Sequence, residues 1–177
     1  ANNIKRIGKD AFTNTAIFNA STGVRIINDW VVGNRNGATG SPSFSNVRGF
    51  ADYALEGTSI TGASLPSTVY YIGEGAFKDC SNLSSVSISG NVDYIPPYAF
   101  AGCTSLKSIT INSGVKTIGE KAFNGSMDGS PTINIPDSVQ TIEDYAFQDS
   151  NVGRLNFNSS SNLGHIGNYA FYGSALN

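Results

Sequence analysis

The dipeptide Ala-Phe recurs along this chain at a nearly constant spacing, and this recurrence constrains the fold more than any other feature. The phenylalanines of five copies are Phe77, Phe100, Phe123, Phe147 and Phe171. Leu55 precedes the first of them by nearly the same interval and ends a degenerate copy, FADYAL. A fixed period in the low twenties is typical of a solenoid in which each repeat forms one turn of a coil.

Two extended segments accompany each copy of the motif. In LKSITIN, at 106–112, apolar residues alternate with polar ones, which predicts a strand with one buried face and one solvent face. A turn such as PDS, at 136–138, comes next in the repeat, and a second short strand such as VQTI, at 139–142, leads into the next motif. The segment around Ala-Phe is predicted to form one turn of α- or 3₁₀-helix.

A single repeat of this size cannot bury its own apolar side chains, so we expect the repeats to stack with equivalent residues in contact. Strand pairing sets this spacing at about 4.8 Å. The five phenylalanines are therefore predicted to form one aromatic column through the core. The predicted fold class is a strand-dominated α/β repeat solenoid with repeats of roughly 22–24 residues.

The repeat resembles the BspA-like leucine-rich repeat family, whose pattern is similar to LxxIxIPxxVxxIGxxAFxxC. The matching stretches include LKSITINSGVKTIGEKAF at 106–123 and INIPDSVQTIEDYAF at 133–147, and the likeness extends over about 56–174. The resemblance implies a right-handed leucine-rich-repeat superhelix with short helical or 3₁₀ turns. It also implies a bacterial surface or secreted protein that acts in adhesion or protein binding, with no catalytic residue and no cofactor.

The segment 1–55 fits the period less well. IGKDAF at 7–12 resembles the motif, but the interval from Phe12 to Leu55 is close to two repeats. Within that interval, VRIINDWVVGN predicts two short strands joined by a hairpin turn at Asn28-Asp29. GNRNGATGSPSFSN, at 33–46, is predicted to be a Gly/Ser/Asn-rich loop.

We interpret residues 1–177 as a single leucine-rich-repeat domain with irregular repeats over 1–55, a hairpin insert at about 24–33, and regular repeats over 56–174. Trp30, the only tryptophan, is either a cap over the core or an exposed binding anchor. Partial burial is favoured, because a hairpin on a solenoid needs an apolar contact with it.

Composition excludes several classes of function. The net charge is -2 and only 14% of residues are charged, with no basic stripe, which argues against nucleic acid as a partner. No apolar run approaches the roughly 18 residues of a membrane-spanning helix. The first residues lack the features of a signal peptide. Because the resemblance implies a surface or secreted protein, we expect an extracellular or cell-surface location, with the signal or anchor removed from this chain.

The glycines of YYIGEGAFKDC, at 70–80, suggest a nucleotide-binding loop, but the pattern does not fit one. Gly73 and Gly75 match G-x-G-x-x-G, whereas the third position is Lys78. The same frame recurs without its glycines, for example as IPPYAF at 95–100. The segment is therefore interpreted as one copy of the structural repeat.

The residue types that support catalysis or metal binding are few. Cys80 and Cys103 lie one repeat apart, so they are expected to be neighbouring buried thiols, with a strained disulfide as the alternative. No CxxC motif or nearby histidine supports a zinc site. His165, the only histidine, occupies an exposed position of the second strand. We therefore expect no enzymatic activity and no metal.

Tyrosines are the best candidates for ligand contacts, because they offer a large contact area at low entropic cost on a rigid scaffold. The candidate ligand-binding residues are Tyr70, Tyr71, Tyr94, Tyr98, Tyr145 and Tyr169. Alternatively, these side chains only cover the edges of the repeats. The polar face of the first strand is nearly uncharged and carries Ser85, Ser87, Thr110, Asn112, Asn134 and Asn156.

These observations predict a non-catalytic binding module, and three roles remain open. The first is recognition of a host or matrix protein, because a solenoid presents an extended repeated face. The second is carbohydrate binding, and the third is a structural spacer within a larger surface protein. The sequence stops at AFYGSALN, where a further strand would begin, so we expect either end-to-end self-association through an exposed last repeat or a longer chain of which this is a part.

Overall fold

A computed structural model describes residues 3–16, 23–35 and 37–177, and it forms a strand-dominated solenoid with a repeat of about 23 residues. The predicted strand-dominated solenoid is thus confirmed, whereas its right-handed sense stays a prediction. The described strands are β1 (Gly23–Ile27), β2 (Trp30–Arg35), β3 (Thr39–Gly40), β4 (Gly49–Phe50), β5 (Ser59–Ile60), β6 (Gly62–Leu65), β7 (Ser85–Ile88), β8 (Tyr94–Ile95), β9 (Ser108–Ile111), β10 (Thr117–Ile118), β11 (Thr132–Ile135), β12 (Thr141–Ile142), β13 (Arg154–Phe157) and β14 (His165–Ile166).

The longer strand of each repeat forms one parallel face of the solenoid. Strands β6, β7 and β9 pair in register, and β11 pairs with β13 in the same way. The hydrogen-bonded sheet is interrupted between β9 and β11. Pro131 stands directly before β11 and has no N–H, whereas Lys107 at the corresponding point donates to Ser84 O at 2.9 Å. Pro131 therefore cannot form the hydrogen bond that begins the pairing in the preceding repeat.

The shorter strands form a second parallel ladder in the order β8, β10, β12, β14. Equivalent residues pair directly, as Ile118 does with Ile95 and with Ile142. These isoleucines are fully buried. The residue before each isoleucine points outward on the same ladder, which is the alternation that period-two patterning predicts.

The N-terminal region contains the predicted hairpin. Strands β1 and β2 pair antiparallel around Asn28 and Asp29, whose φ angles of 46° and 66° suit a primed hairpin turn. Strand β2 then pairs in parallel with β4. Residues 39–44 of the segment predicted to be a loop are part of the coil instead, since β3 pairs with β5 and Phe44 is 2% exposed.

The Ala-Phe segments do not form the expected helical turn. The residue before each Ala has a positive φ, from 54° at Lys121 to 60° at Asp10, and a second positive φ follows at the residue two places after Phe. These left-handed residues reverse the chain before a helix can form. The N–H groups along the segment alternate between acceptors in the same turn and acceptors in the next repeat. Ala76 and Lys78 donate within the turn, to Gly73 O and Gly75 O.

The intervening N–H groups join neighbouring repeats. Tyr98, Phe100 and Gly102 donate to Glu120 O, Ala122 O and Asn124 O of the following repeat, at 2.8–3.1 Å. The same set of three bonds crosses each interface from the repeat of Tyr53 to that of Tyr169. All these donors face the C-terminal end of the coil and all the acceptors face the N-terminal end.

The predicted aromatic column is present. Phe77, Phe100, Phe123, Phe147 and Phe171 stack with ring centroids 5.0–5.4 Å apart and interplanar angles of 9–13°. In the degenerate repeat, the aromatic ring of the column comes from a different position of the repeat. Leu55 holds the backbone position of a column residue, but the ring that packs on Phe77 is that of Phe50, at 5.2 Å.

Trp30 is buried, with 1% of its surface exposed, and is therefore not a binding anchor. Its ring contacts Tyr70 edge-on at 5.9 Å and Tyr71 at 5.6 Å. The hairpin thus partly covers two of the candidate ligand-binding tyrosines.

Cys80 and Cys103 are free, buried thiols, which confirms the favoured prediction. Each donates to a carbonyl of the preceding repeat, Cys80 to Leu55 O at 3.0 Å and Cys103 to Phe77 O at 3.1 Å. Ser126 occupies the same position but donates within its own turn, to Phe123 O at 2.6 Å. The position therefore requires a small donor and does not require sulfur.

Large apolar side chains lie exposed on the repeat that contains β13 and β14. Phe157 is 42% exposed and Ile166 is 50% exposed, whereas the isoleucines at the positions of Ile166 in the three preceding repeats are fully buried. No helix among the described residues is long and apolar enough to cross a lipid bilayer.

Candidate binding surfaces

A row of side chains runs along one edge of the solenoid, at the left-handed position before each Ala. This tyrosine ridge consists of Tyr53, Tyr98, Lys121, Tyr145 and Tyr169. Tyr145 and Tyr169 stack with a centroid distance of 5.5 Å and an interplanar angle of 6°. Tyr169 is 60% exposed and meets Tyr172 at 82°, so the two rings form an open aromatic corner.

Lys121 lies between two rings of the ridge. Its Nζ stands 5.5 Å from the centroid of Tyr98 and 5.1 Å from that of Tyr145, distances at which a cation is attracted to an aromatic face. The hydrogen bond to the hydroxyl of Tyr98, followed by the contact with Glu120, raises the pKa of the lysine. The ammonium therefore stays charged and continues the stack where a tyrosine is missing.

A shallow cleft lies beside the ridge, between it and the ladder of short strands. The cleft has a volume of about 370 Å³ and is lined by Glu120, Thr141, Glu143, Asp144 and His165. Glu143 Oε2 accepts hydrogen bonds from the N–H of Glu120 at 2.9 Å and from the hydroxyl of Tyr94 at 3.2 Å. Partial burial of the phenol, together with the Glu143 charge, raises the pKa of Tyr94 to about 12.

The six candidate tyrosines fall into three groups. Tyr98, Tyr145 and Tyr169 belong to the ridge, and Tyr94 borders the cleft with 38% of its surface exposed. Tyr70 and Tyr71 lie apart from these four, half-buried against Trp30. Their hydroxyls are engaged by the protein: Tyr70 donates to Ile4 O at 2.7 Å and Tyr71 to Asp52 Oδ1 at 3.4 Å.

The residues with catalytic potential do not meet. His165 is exposed at the cleft, whereas both cysteines are fully buried. Burial raises the pKa of the Cys80 thiol and of the Cys103 thiol, so both are protonated at neutral pH. Among the described residues, no group of three or more His, Cys, Asp and Glu side chains is arranged to hold a metal ion.

The parallel face of the long strands is a separate surface. It contains a groove of about 250 Å³ whose lining residues are uncharged. They are Ser41, Gly62, Ala63, Ser64, Ser85, Val86, Ser87, Ser108 and Thr110. Asn134 and Asn156 continue the polar side chains beyond the groove, joined by a hydrogen bond of 3.0 Å.

Sequence reasoning missed the carboxylates of the cleft. Glu143 and Asp144 occupy turn positions that are Gly-Glu or Pro-Pro in other repeats, and on that ground they carry no expected role. Stacking brings Glu143 within hydrogen-bond reach of Tyr94, 49 residues earlier. In the sequence, only the repeat period indicates this contact, because the two residues lie about two repeats apart.

The sequence matches the family described as the BspA-type leucine-rich repeat region, in six copies over residues 5–130 and 48–177. The chain belongs to this family. The matched residues include every repeat that forms the tyrosine ridge and the parallel face, so both surfaces are parts of the repeat array. The family membership predicted from the motif is thus confirmed. No curated protein matches the chain significantly.

Solved structures of three bacterial proteins share the fold. A leucine-rich repeat protein of Bacteroides ovatus is 26% identical with a TM-score of 0.54, and one of Eubacterium ventriosum is 18% identical with a TM-score of 0.60. A leucine-rich cell surface protein of Faecalibacterium prausnitzii is 20% identical with a TM-score of 0.53. They cover 80%, 84% and 84% of this chain, which spans 40%, 47% and 48% of theirs.

Proposed function

We propose that this chain is a non-catalytic binding module that recognises a protein partner through the tyrosine ridge and the adjoining cleft. The observation that carries the proposal is the stacking of Tyr145 on Tyr169 at 5.5 Å, with Tyr169 60% exposed. Exposed aromatic rings held rigid before binding are typical of protein interfaces, since little side-chain entropy is lost on contact.

The charges beside the ridge favour a partner segment that carries Lys or Arg. Glu120, Glu143 and Asp144 line the cleft, and Tyr94 presents its ring at the same place. A cationic side chain would meet both carboxylates and aromatic faces there. The association rate should then fall as salt concentration rises.

A cell-surface or secreted location in a bacterium forms part of the proposal. It is supported by membership of the BspA-type family and by a structural neighbour described as a cell surface protein. The chain spans less than half of that neighbour, so the proposal concerns the role of this repeat array and not that of a whole protein.

Self-association through the repeat of β13 and β14 stays a prediction. It is supported by the exposure of Phe157, Ile166 and Leu176, the last at 40%, because apolar groups beside unpaired strand edges favour association. Sedimentation over a tenfold concentration range would detect it.

Binding to a panel of purified extracellular-matrix proteins, measured by biolayer interferometry, tests the proposed partner class. We expect at least one protein to bind the wild-type chain and the double variant Tyr145→Ser/Tyr169→Ser to bind it at least tenfold more weakly. Lys107→Ala is the control, because Lys107 is exposed and forms its ion pair with the surface residue Asp128, away from the ridge. Binding that is equally strong in the double variant would contradict the proposal, and binding to none of the panel would favour the spacer role.

A further inference from the structure

The last described turn of the solenoid, 168–174, has a row of unused hydrogen-bond donors. In every junction from the repeat of Tyr53 onward, three N–H groups of one turn donate to three carbonyls of the next. Tyr169, Phe171 and Gly173 hold these donor positions in the last turn, and among the described residues their N–H groups have no acceptor. Tyr169 and Gly173 keep the left-handed φ angles of 54° and 68°, so the donors are arranged as in the earlier turns.

The first turn, 8–14, has the matching row of unused acceptors. Asp10 and Asn14 have φ angles of 60° and 64°, which are the two left-handed positions of every later Ala-Phe turn. The turn therefore presents its acceptors in the same arrangement as the later turns. In the part of the chain that the structure describes, none of these acceptors receives a hydrogen bond. They are the carbonyls of Lys9, Ala11 and Thr13.

The alanine of the motif shows which face of the first turn is open. In all the later copies this alanine is buried, and that includes Ala170 of the last turn, which is 3% exposed. Because no described turn follows that of Ala170, the preceding turn must be what covers the methyl group. Ala11 is exposed. The first turn therefore has an uncovered face on the side where another Ala-Phe turn would pack.

Ion pairs hold the first turn against the array. Arg6 contacts Asp52 at 2.6 Å, and Lys9 contacts Glu56 at 2.8 Å. Lys9 Nζ also stands 4.4 Å from the ring centroid of Tyr53. The face that carries the unused carbonyls is therefore fixed in place before any contact with a partner is made.

The two open ends of the solenoid are complementary to each other and not to themselves. Three N–H groups of the last turn match three carbonyls of the first turn, in the direction that every inner junction uses. Phe171 and Phe12 are both partly exposed, and each stands at the position that continues the aromatic column. Two last turns brought together would oppose N–H groups to N–H groups, and two first turns would oppose carbonyls to carbonyls. Neither of these symmetric pairings forms the hydrogen bonds.

We propose that the chain assembles head to tail, with the last turn of one copy donating its three N–H groups to the first turn of another copy. The proposal rests on the self-association predicted for the repeat of β13 and β14, and it adds the partner surface and the direction. The contact reproduces the inner junctions, so it also covers Ile166, whose equivalents in the preceding repeats are fully buried. Because the two contacting surfaces differ, each added copy leaves one free end of each kind, and the assembly is open and not a closed dimer.

Sedimentation velocity of the full chain tests the proposal with two variants that each block one end. Ala11→Glu places a charge on the open face of the first turn, and Ile166→Glu places the same charge beside the last turn. We expect the sedimentation coefficient of wild type to keep rising with concentration and each variant alone to stay monomeric. An equimolar mixture of the two variants should form a dimer, because each supplies the end that the other lacks. Attraction between the introduced side chains cannot produce this dimer, since both are negative.

Ser108→Glu is the control, because it adds the same charge at an exposed residue of the long-strand face and should assemble like wild type. Thermal unfolding checks that each variant is folded, and Phe157→Glu, at a residue that is 42% exposed, replaces Ile166→Glu if the latter is not. Assembly of Ala11→Glu as in wild type, with Ile166→Glu monomeric, would overturn the head-to-tail contact but leave the self-association of the last repeat standing. A wild-type chain that is monomeric at every concentration would overturn both, and a mixture that stays monomeric would overturn the head-to-tail contact.

Discussion

The phenol ring of Tyr53 lies across the Cα of Gly75, so closely that a Cβ on Gly75 would stand 2.4 Å from Tyr53 Cε1. Both residues occupy the left-handed position before the motif, one repeat apart, with φ angles of 58° and 57°. The hydroxyl of Tyr53 is held by Glu74 at 2.5 Å. At Gly75 the tyrosine ridge therefore has no side chain, and the ring of Tyr53 covers the backbone of Gly75 instead.

Gly75→Ala should destabilise the fold by two separate effects. An L-residue at this φ costs about 1 kcal/mol, and the clash with the Tyr53 ring should add about 1 kcal/mol or more. Gly125→Ala is the control, because Gly125 has a φ of 59° but no atom within 4 Å of the point where a Cβ would stand. Urea unfolding should show the larger loss for Gly75→Ala, and equal losses would contradict the contact with Tyr53.

Phe123→Ala should lower the free energy of unfolding by about 3–5 kcal/mol, as for other truncations of buried phenylalanine. Its ring is fully buried between Phe100 and Phe147. Phe171→Ala should cost less, because Phe171 is partly exposed and, among the described residues, stacks on Phe147 alone. Chemical denaturation of both variants checks the order, and a larger loss for Phe171→Ala would refute the account of the column.

The two thiols should be unreactive in the folded protein. Both side chains are 0% exposed, and burial raises the pKa of each, which lowers the fraction of thiolate that can attack a disulfide reagent. Ellman's reagent should therefore label neither cysteine in buffer and both in denaturant. Rapid labelling of the native chain at neutral pH would show that the position is open to solvent.

Tyr94 should ionise later than a free tyrosine, with a pKa of about 12 instead of 10.0, because burial and Glu143 both disfavour the phenolate. Its contribution to stability is complete below the pKa of the unfolded chain, where the phenol is neutral in both states. That contribution is lost as the pH rises through the folded pKa. A difference ultraviolet titration between wild type and Tyr94→Phe isolates this step.

Glu143→Gln provides the matching test of the cause. Removing the charge and keeping the shape should move the Tyr94 step toward lower pH, because the phenolate no longer faces a carboxylate. An unchanged step would show that burial alone sets the pKa.

The aromatic column was predictable because stacking places identical residues on one another, so a regular interval in sequence becomes a regular contact in space. Phe50 was not predictable in the same way. Phe50 belongs to a short strand, and its ring enters the column in the space beside the smaller side chain of Leu55. The spacing of the repeats does not reveal that Phe50 replaces Leu55 in the column. The two left-handed residues of each turn did have a signal, since the second is Gly or Asp in every regular repeat.

The candidate surfaces were predictable only in part. The repeat frame placed Tyr98, Tyr145 and Tyr169 in one row, because they share one position of the motif. It did not indicate the partial burial of Tyr70 and Tyr71, because the hairpin that bears Trp30 lies outside the period and covers them. The cleft was not predictable, because the spacing of the repeats does not show how far a side chain reaches across two of them.

The one-way direction of the hydrogen bonds between the Ala-Phe turns has a consequence for how such chains evolve. Between the repeats of Tyr53 and Tyr169, each junction consists of three donors from one repeat and three acceptors from the next, so the junctions are complementary in the same sense. Duplication or loss of a complete repeat unit leaves each junction matched. Array length can therefore change by recombination while the tyrosine ridge and the parallel face of the long strands are extended or shortened in proportion.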